Sequence, residues 1–191
     1  NTATGRKISG VICMHTFGHP CDLEGLLNVC QQFNIPLIED AAESLGSLYK
    51  DQHTGSFGLI SALSFNGNKT ITTGGGGAIM TNDSTLADRV RHLTRTAKQA
   101  HNWEFIHDQV GYNYRLPNLN AALGCAQMEA LPMYLSRKRI LAYRYHAAFA
   151  EIPGVESFAE PDGCKSNYWL NAILLDPADA GIRDDVLQAT N

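Results

Sequence analysis

The chain has 191 residues, of which 44% are hydrophobic and 18% are charged, and its formal net charge is -4. This composition is ordinary for one globular domain or slightly more. The small negative charge gives no reason to expect a nucleic acid or an anionic membrane as a partner. No apolar run approaches the ~20 residues that a membrane span needs.

The cysteines suggest a reducing compartment. Five of them, at positions 13, 21, 30, 125 and 164, form neither a Cys-x-x-Cys pair nor a paired framework. Reduced thiols in a cytoplasm are the simplest interpretation, and we expect no metal site. No signal peptide is visible. The opening residues, Asn1 to Gly5, do not resemble a native start, so we expect the chain to open within a fold.

Two short apolar segments separated by one helical pattern open the chain. Ile8 to Met14 predicts a buried strand that ends at His15, and Asp22 is a good N-cap for the helical pattern that follows it. Pro36 to Ile38 predicts a second strand, which runs into Asp40. Strand, helix and strand at this length predict a βαβ unit with a right-handed crossover. Asp40 then lies at the edge where open α/β sheets bind ligands.

A single lysine lies between two further strands. Leu59 to Phe65 and Ala78 to Met80 predict short strands, and between them lie Lys69 and four consecutive glycines, Gly74 to Gly77. The glycines leave the backbone free to adopt positive φ. A lysine at the mouth of a sheet is well placed as a nucleophile that forms a Schiff base with an aldehyde. An ordinary exposed loop lysine is the alternative. A phosphate-binding loop is rejected, because Asn68 stands where that motif needs glycine.

The regular pattern lapses near the middle of the chain. Ser84 predicts the cap of a helix, but from Thr96 to Pro117 the aromatic and histidine residues follow no clear period. An irregular stretch of this length inside a compact domain is usually functional. A surface loop that is fixed in place by its aromatic side chains is the alternative.

Helices dominate the region after this irregular stretch. Asn118 predicts the cap of a third helix, and Leu131-Pro132 predicts the restart of a helix that runs to about Ala150. The basic residues of this helix most simply form a solvated face. Pro153-Gly154 ends the helix and is the best domain boundary, and Tyr168 to Leu175 predicts one more strand.

Four spaced motifs together resemble a known family. They are Glu39-Asp40-Ala41-Ala42-Glu43, Gly55-Ser56-Phe57-Gly58, Ser64-Phe65 with Lys69 and the glycine run, and Gly111-Tyr112-Asn113-Tyr114-Arg115. In this order they resemble the DegT/DnrJ/EryC1/StrS sugar aminotransferases, which are pyridoxal-phosphate enzymes of fold type I. Val11 to Gly18 is similar to the family's Val-His-x-x-Gly element. The sequence Ser64-Phe65-Asn66-Gly67-Asn68-Lys69, together with Thr94 to Lys98 and Asn171, is most similar to the branch that acts on nucleotide-linked amino sugars of the legionaminic or bacillosamine type.

The resemblance implies an α/β fold with a three-layer architecture and a mostly parallel sheet. Residues 1–152 would form the C-terminal portion of the large cofactor-binding domain, and residues 153–191 the beginning of a small C-terminal domain. The N-terminal part of the large domain would then be missing, together with its phosphate-holding turn and the aromatic ring that stacks on the cofactor.

The resemblance also assigns three residues to the ring of pyridoxal phosphate. Asp40 is expected to keep the pyridine nitrogen protonated, because a carboxylate held against that nitrogen favours its charged form. Ala42 is expected to pack on one face of the ring, where a small side chain leaves room. Glu43 is expected to contact the ring hydroxyl, at a position where many relatives have Gln or His.

Further residues are expected around the phosphate and the reacting atoms. Ser64 matches a phosphate-binding hydroxyl, and Lys69 matches the lysine that carries the cofactor and then moves the proton. Asn113 matches a residue that reaches the cofactor phosphate of the partner subunit, which implies a homodimer. Arg115 is interpreted as bracing its loop rather than touching a substrate carboxylate, and His15 as a satisfied core histidine.

Three functions follow from these motifs. The leading hypothesis is a cytoplasmic homodimeric transaminase that moves an amino group from an amino acid, with glutamate expected, to a nucleotide-linked keto sugar in bacterial polysaccharide or amino-sugar biosynthesis. A related sugar dehydratase, which has histidine in place of the lysine, and a catalytically silent nucleotide-sugar-binding relative are the alternatives. The 191-residue piece alone is expected to bind the cofactor poorly and to self-associate.

Overall fold

The computed structural model describes residues 2–190, apart from the side chain of residue 179. In chain order the strands are β1 (Val11–Met14), β2 (Leu37–Asp40), β3 (Leu48–Tyr49), β4 (Gln52–His53), β5 (Ile60–Ser64), β6 (Gly77–Met80), β7 (Val155–Ser157), β8 (Cys164–Lys165) and β9 (Ile173–Leu175). The α-helices are α1 (Leu23–Gln32), α2 (Ser84–Leu93), α3 (Asn118–Phe149) and α4 (Arg183–Thr190). Two 3-10 helices span Thr16–Gly18 and Pro177–Ile182.

The main sheet has four strands in the order β1-β2-β5-β6. β1 and β2 are parallel, with Met14 opposite Asp40, and β2 and β5 are parallel, with Asp40 opposite Ala62. β6 returns antiparallel to β5 and places Gly77 opposite Ser64. The predicted α/β class and mostly parallel sheet are confirmed, and the carboxyl ends of β1, β2 and β5 lie at one edge.

The best-formed core lies between this sheet and α1. Asp22 caps the helix as predicted, because its carboxylate accepts a hydrogen bond from the Gly25 N–H at 3.0 Å. The helix then turns two fully buried side chains, Leu23 and Cys30, towards the strands. Burying one leucine of this kind contributes about 2 kcal/mol. The packing fixes the spacing of β1 and β2, and therefore the position of Asp40.

Three predictions of helix boundaries are wrong. The N-cap of α2 is Asp83 rather than Ser84, since the Asp83 carboxylate accepts from the Leu86 N–H at 2.9 Å. Asn118 is the first residue of α3, and the cap is Pro117, which has no side-chain capping bond. Pro132 does not restart a helix but lies inside the continuous α3. A proline there costs about 3 kcal/mol, and the strong helix formers on both sides outweigh that cost.

The predicted strand from Tyr168 to Leu175 is also too long. Only β9, Ile173–Leu175, pairs with β7. Tyr168 has a positive φ of 47°, which no strand residue adopts. The polar groups of the residues before it bond to distant loops instead of to a neighbouring strand, as described below.

The structure leaves much apolar surface exposed. In β1 the side chains of Ile12 and Met14 share one face of the sheet and are 71% and 51% exposed. The segment from 96 to 117 is irregular, as predicted, with two isolated bridges and several exposed aromatic rings. Within residues 2–190, none of the helices has the length and apolar character needed to span a membrane.

Candidate active site

Asp40 lies at the carboxyl end of β2, as the sequence predicts. Its Oδ1 accepts a hydrogen bond from the Ala42 N–H at 3.1 Å, which fixes the carboxylate at the start of the following turn. Both residues are half-buried. No ion pair involves Asp40 anywhere in the described part of the chain, so its second oxygen is available to a ligand. A half-buried carboxylate without a cation suits a ligand that brings a positive charge.

The loop after β5 places Lys69 in the site. The Lys69 N–H donates to the Asn66 carbonyl at 3.1 Å, and the glycine run returns the chain to β6 with φ values of 81° at Gly74 and 91° at Gly76. A Cβ at Gly77 would lie 2.2 Å from the Leu63 carbonyl oxygen, so only glycine fits where the two strands meet. This tight return holds the Lys69 loop at the carboxyl edge of the sheet.

The Lys69 side chain is not an ordinary exposed one, since only 13% of it is accessible. Its Nζ lies 3.7 Å from Glu43 Oε1 and 3.9 Å from the centre of the Trp169 ring. The other Glu43 oxygen, Oε2, accepts from the Phe17 N–H at 2.7 Å. Glu43 therefore bonds to Phe17 and pairs with the lysine in this structure, and its predicted contact with a cofactor hydroxyl stays a prediction.

A buried, hydrogen-bonded pair of side chains lies next to the site. His15 and Glu39 are both fully buried, and His15 Nε2 lies 3.0 Å from Glu39 Oε2. Burial disfavours the charged imidazole, but hydrogen bonds with Cys21 and Glu39 outweigh it and raise the pKa of His15 to about 9. His15 is thus the satisfied core histidine that the sequence predicts, because its Nδ1 accepts from the Cys21 N–H at 3.2 Å and its Nε2 bonds to Glu39.

The carboxylate of Glu39 organises the Gly55-Ser56-Phe57-Gly58 motif. Its oxygens accept from the N–H groups of Gly55, Phe57 and Gly58 at 2.6, 2.7 and 2.6 Å. Burial raises the pKa of this carboxyl, but the bonds from His15 and the three N–H groups outweigh it and lower the pKa overall. The motif is therefore a backbone clamp on a buried carboxylate that adjoins Asp40.

Sequence analysis missed the contribution of residues 166–169, which we call the SNYW segment. Asn167 Nδ2 donates to the carbonyls of Glu43 and Leu45 at 2.8 and 2.9 Å, and the Ser166 hydroxyl donates to the Gly18 carbonyl at 2.9 Å. These bonds join the segment to loops more than 120 residues away in sequence. The amide and hydroxyl groups directly before the predicted strand were the only available signal.

Three other predicted residues lie apart from these contacts. Ser64 ends β5, and its Oγ accepts from the Asn66 N–H at 3.3 Å. Asn113 is exposed on the irregular segment, where it pairs with Arg95. Arg115 lines a cleft of about 670 Å³ beside the glycine run. The N–H groups of Tyr112 and Tyr114 donate to the Leu93 and Thr94 carbonyls and hold the loop, but among the described residues the Arg115 side chain makes no hydrogen bond. The bracing interpretation is thus unsupported within one chain.

The side chains at this edge fit pyridoxal phosphate. A half-buried lysine amine, a half-buried carboxylate with a free oxygen, a serine hydroxyl and a small alanine lie on neighbouring loops. This donor set offers an amine for an aldehyde, an anion for a pyridinium nitrogen and a hydroxyl for a phosphate.

Comparison with known proteins gives a consistent result. All 191 residues match the model of the DegT/DnrJ/EryC1/StrS aminotransferase family. A GDP-perosamine synthase of Escherichia coli O157:H7 is 42% identical over 168 residues, which are 88% of this chain and 45% of that protein. The chain therefore spans about half the length of the curated relatives it matches.

Solved structures agree with the sequence comparison. Helicobacter pylori PseC, an aminotransferase involved in the biosynthesis of pseudoaminic acid, superposes with a TM-score of 0.90 at 25% identity over 95% of this chain and 49% of that one. DesI, solved in the presence of its TDP-sugar product, superposes with a TM-score of 0.85 at 29% identity over 98% of this chain and 48% of that one. The architecture expected from the motifs is thereby confirmed.

Proposed function

The chain belongs to the DegT/DnrJ/EryC1/StrS aminotransferase family, and we propose that the protein is a pyridoxal-phosphate-dependent aminotransferase acting on a nucleotide-linked keto sugar. The proposal rests chiefly on Lys69, a lysine that is 13% exposed and lies beside Glu43. Asp40 ends the neighbouring parallel strand at the same edge. The sugar dehydratase alternative expects histidine at position 69, and no observation favours it or a silent binding protein.

Each residue at the edge has a distinct task in this proposal. When bound, pyridoxal phosphate supplies an electron sink for the carbon that loses its proton. The free oxygen of Asp40 would lie against the protonated nitrogen of the cofactor ring and orient the ring. Ser64 would provide a hydroxyl to the cofactor phosphate. Ala42 leaves space for a flat ring. Lys69 binds the cofactor and then moves a proton as a general base whose position is fixed by its loop.

The substrate class is inferred from the names of the relatives. GDP-perosamine synthase and DesI with its TDP-sugar product both imply sugars attached to a nucleoside diphosphate. We propose a substrate of this kind, with glutamate as the amino donor, in the biosynthesis of a surface polysaccharide or amino sugar. The narrower resemblance to the legionaminic and bacillosamine branch stays a prediction.

We also propose that the protein forms a homodimer in which the irregular segment closes the neighbour's site. Trp103, Phe105 and Tyr114 on this segment are 77%, 78% and 74% exposed, and aromatic side chains are enriched at protein–protein interfaces. Asn113 lies among them and would face the partner's cofactor phosphate. All five cysteines are free thiols, which supports work in the cytoplasm.

Subunit mixing tests the shared site. Lys69→Ala and Asn113→Ala dimers should each be nearly inactive, whereas a mixed dimer contains one site with both residues intact. Mixing the unfolded subunits and refolding them should restore about a quarter of the wild-type activity, because half of the random dimers are mixed and each has one good site. No recovery on mixing would place Asn113 outside the partner's site.

The chemical proposal is tested by a half-reaction. The full-length gene product, loaded with pyridoxal phosphate and mixed with glutamate, should change its visible absorbance to that of the pyridoxamine form. Lys69→Ala should abolish this change, whereas Lys50→Ala should keep it, since Lys50 is an exposed lysine paired with Glu24. The absence of a half-reaction with every amino donor would overturn the transaminase proposal.

A further inference from the structure

Two side chains hold the Lys69 amine in this structure, and we call them the lysine cradle. Glu43 lies on one side, with its Oε1 3.7 Å from Nζ, and the Trp169 ring on the other, with its centre 3.9 Å from Nζ. Both partners of the ion pair are mostly buried, at 13% and 20% exposure. A cation between a carboxylate and an indole face is thus stabilised from two sides in a partly dry site.

The cradle is built on fixed supports. The Trp169 Nε1–H donates to the Asn68 carbonyl at 2.8 Å, next to the lysine in sequence, and the Trp169 backbone N–H donates to Asn167 Oδ1 at 2.8 Å. Asn167 itself bonds to the Glu43 and Leu45 carbonyls. One network therefore joins the indole, the lysine loop and the backbone of Glu43, and the ring cannot move away without losing its Nε1–H bond to Asn68.

The residues that hold the cradle in place are packed too closely to accept a larger side chain at Gly18. Gly18 has a φ of 92°, and a Cβ at this position would lie 1.8 Å from Asn167 Oδ1. The neighbouring Phe17 bonds to Glu43 through its N–H, and its ring is 6.5 Å from the indole. The loop around Gly18 therefore fixes Asn167 and Glu43 at once, and through them both halves of the cradle.

We propose that Trp169 is a positioning residue that, with Glu43, holds the Lys69 amine at one place whenever the lysine is not covalently engaged. This rests on the proposed function, in which the lysine is released and re-engaged in every cycle. A free lysine has four rotatable side-chain bonds, and each conformation away from the reacting carbon slows the proton transfer. The cradle confines the amine without a covalent bond, and Trp169 acts through Lys69 rather than on the substrate.

Amine labelling tests the proposal directly. The cofactor-free full-length gene product is treated with formaldehyde and cyanoborohydride, and methylation at Lys69 and at Lys50 is followed by peptide mass spectrometry. Lys50 is 57% exposed and serves as the internal reference. Because Nζ must leave the ring before it reacts, Trp169→Leu should raise the Lys69 rate relative to Lys50 by about 2- to 30-fold, the range expected for a lost cation–π contact.

Matched variants separate positioning from general loosening. Trp169→Phe keeps an aromatic face and should label within about twofold of the wild type. Phe33→Leu removes an exposed aromatic ring at the end of α1 and should have no effect. Equal rates in Trp169→Leu and the wild type, or equal rates in Trp169→Leu and Trp169→Phe, would overturn the proposal. The urea midpoint of each variant is measured alongside.

A second measurement covers the case in which Trp169→Leu does not fold. The emission of Trp169 is obtained as the difference between the protein and its Trp169→Phe variant. Lys69→Met should change the emission intensity, because it removes a charge from above the ring, and Lys50→Met should not. Unchanged emission would overturn the cradle. Both readouts use cofactor-free protein, so a missing glutamate half-reaction would refute the proposed function and leave these results standing.

Discussion

Replacing Glu39 by glutamine should greatly weaken the fold beneath the site. Glu39 is fully buried, and its two oxygens face four donors: the N–H groups of Gly55, Phe57 and Gly58, and His15 Nε2. A glutamine has one carbonyl oxygen and one NH₂ group. It can still accept from two of these donors, but its NH₂ group must face the other two.

The loss of stability in Glu39→Gln can be worked out from the hydrogen bonds that the glutamine no longer accepts. A hydrogen bond to a charged group contributes about 1.5–3 kcal/mol, so two lost bonds predict a loss of about 3–6 kcal/mol. Removing one charge of a buried pair costs about 3–5 kcal/mol in other proteins. We therefore expect Glu39→Gln to lower the free energy of unfolding by about 3–5 kcal/mol, a large share of the ~5–15 kcal/mol that a domain has.

Urea unfolding of the full-length gene product, followed by far-ultraviolet circular dichroism, measures this loss. The matched control is Glu24→Gln, which removes a carboxylate that is 63% exposed and paired with Lys50 at 2.6 Å. An exposed pair contributes at most about 1 kcal/mol. If Glu39→Gln costs no more than Glu24→Gln, the buried carboxylate does not hold the Gly55 to Gly58 clamp.

Three further predictions concern the surroundings of the site. The pKa of His15 is raised above its ordinary 6.5 to about 9, so its contribution to stability is complete below pH 6.5 and is lost as the pH rises through about 9. Urea midpoints should fall over this range in the wild type and fall less in Glu39→Gln, which removes one of the two partners that raise this pKa and leaves Cys21. Gly18→Ala should lower the free energy of unfolding by about 2–4 kcal/mol, because its Cβ meets Asn167, and hydrogen exchange should accelerate in the SNYW segment; unchanged exchange there would contradict the contact. Asp40→Asn keeps an acceptor for the Ala42 N–H and should leave the urea midpoint unchanged, while the rate of the glutamate half-reaction falls about 100-fold or more; a full rate would exclude Asp40 from the cofactor site.

Local patterns predicted the part of the site that lies on regular elements. Asp22 could be identified as a cap because its side chain bonds within its own turn, and Asp40 could be placed because the strand before it is apolar and short. Lys69 followed from the glycine run, whose tight return to β6 has a local steric cause. In each case the interactions that decide the structure lie close together in sequence.

The contacts that complete the site are long-range, and the sequence did not predict them. Trp169 lies over a lysine 100 residues earlier in the chain, and nothing in its local pattern distinguishes it from a strand residue. Tyr168 adopts a positive φ because its neighbours bond to distant loops. Pro132 reads as a helix boundary, but the strong helix formers around it continue the helix. Such outcomes depend on packing that spacing alone cannot encode.

The central claim is that Lys69 is the residue that binds pyridoxal phosphate. The most direct measurement is borohydride reduction of the cofactor-loaded full-length gene product, followed by proteolysis and mass spectrometry of the peptides. We predict that the reduced pyridoxyl group lies on the peptide that contains Lys69, and that Lys69→Ala yields no labelled peptide. A pyridoxyl group on any other lysine, or labelling that survives in Lys69→Ala, would contradict the assignment of this site.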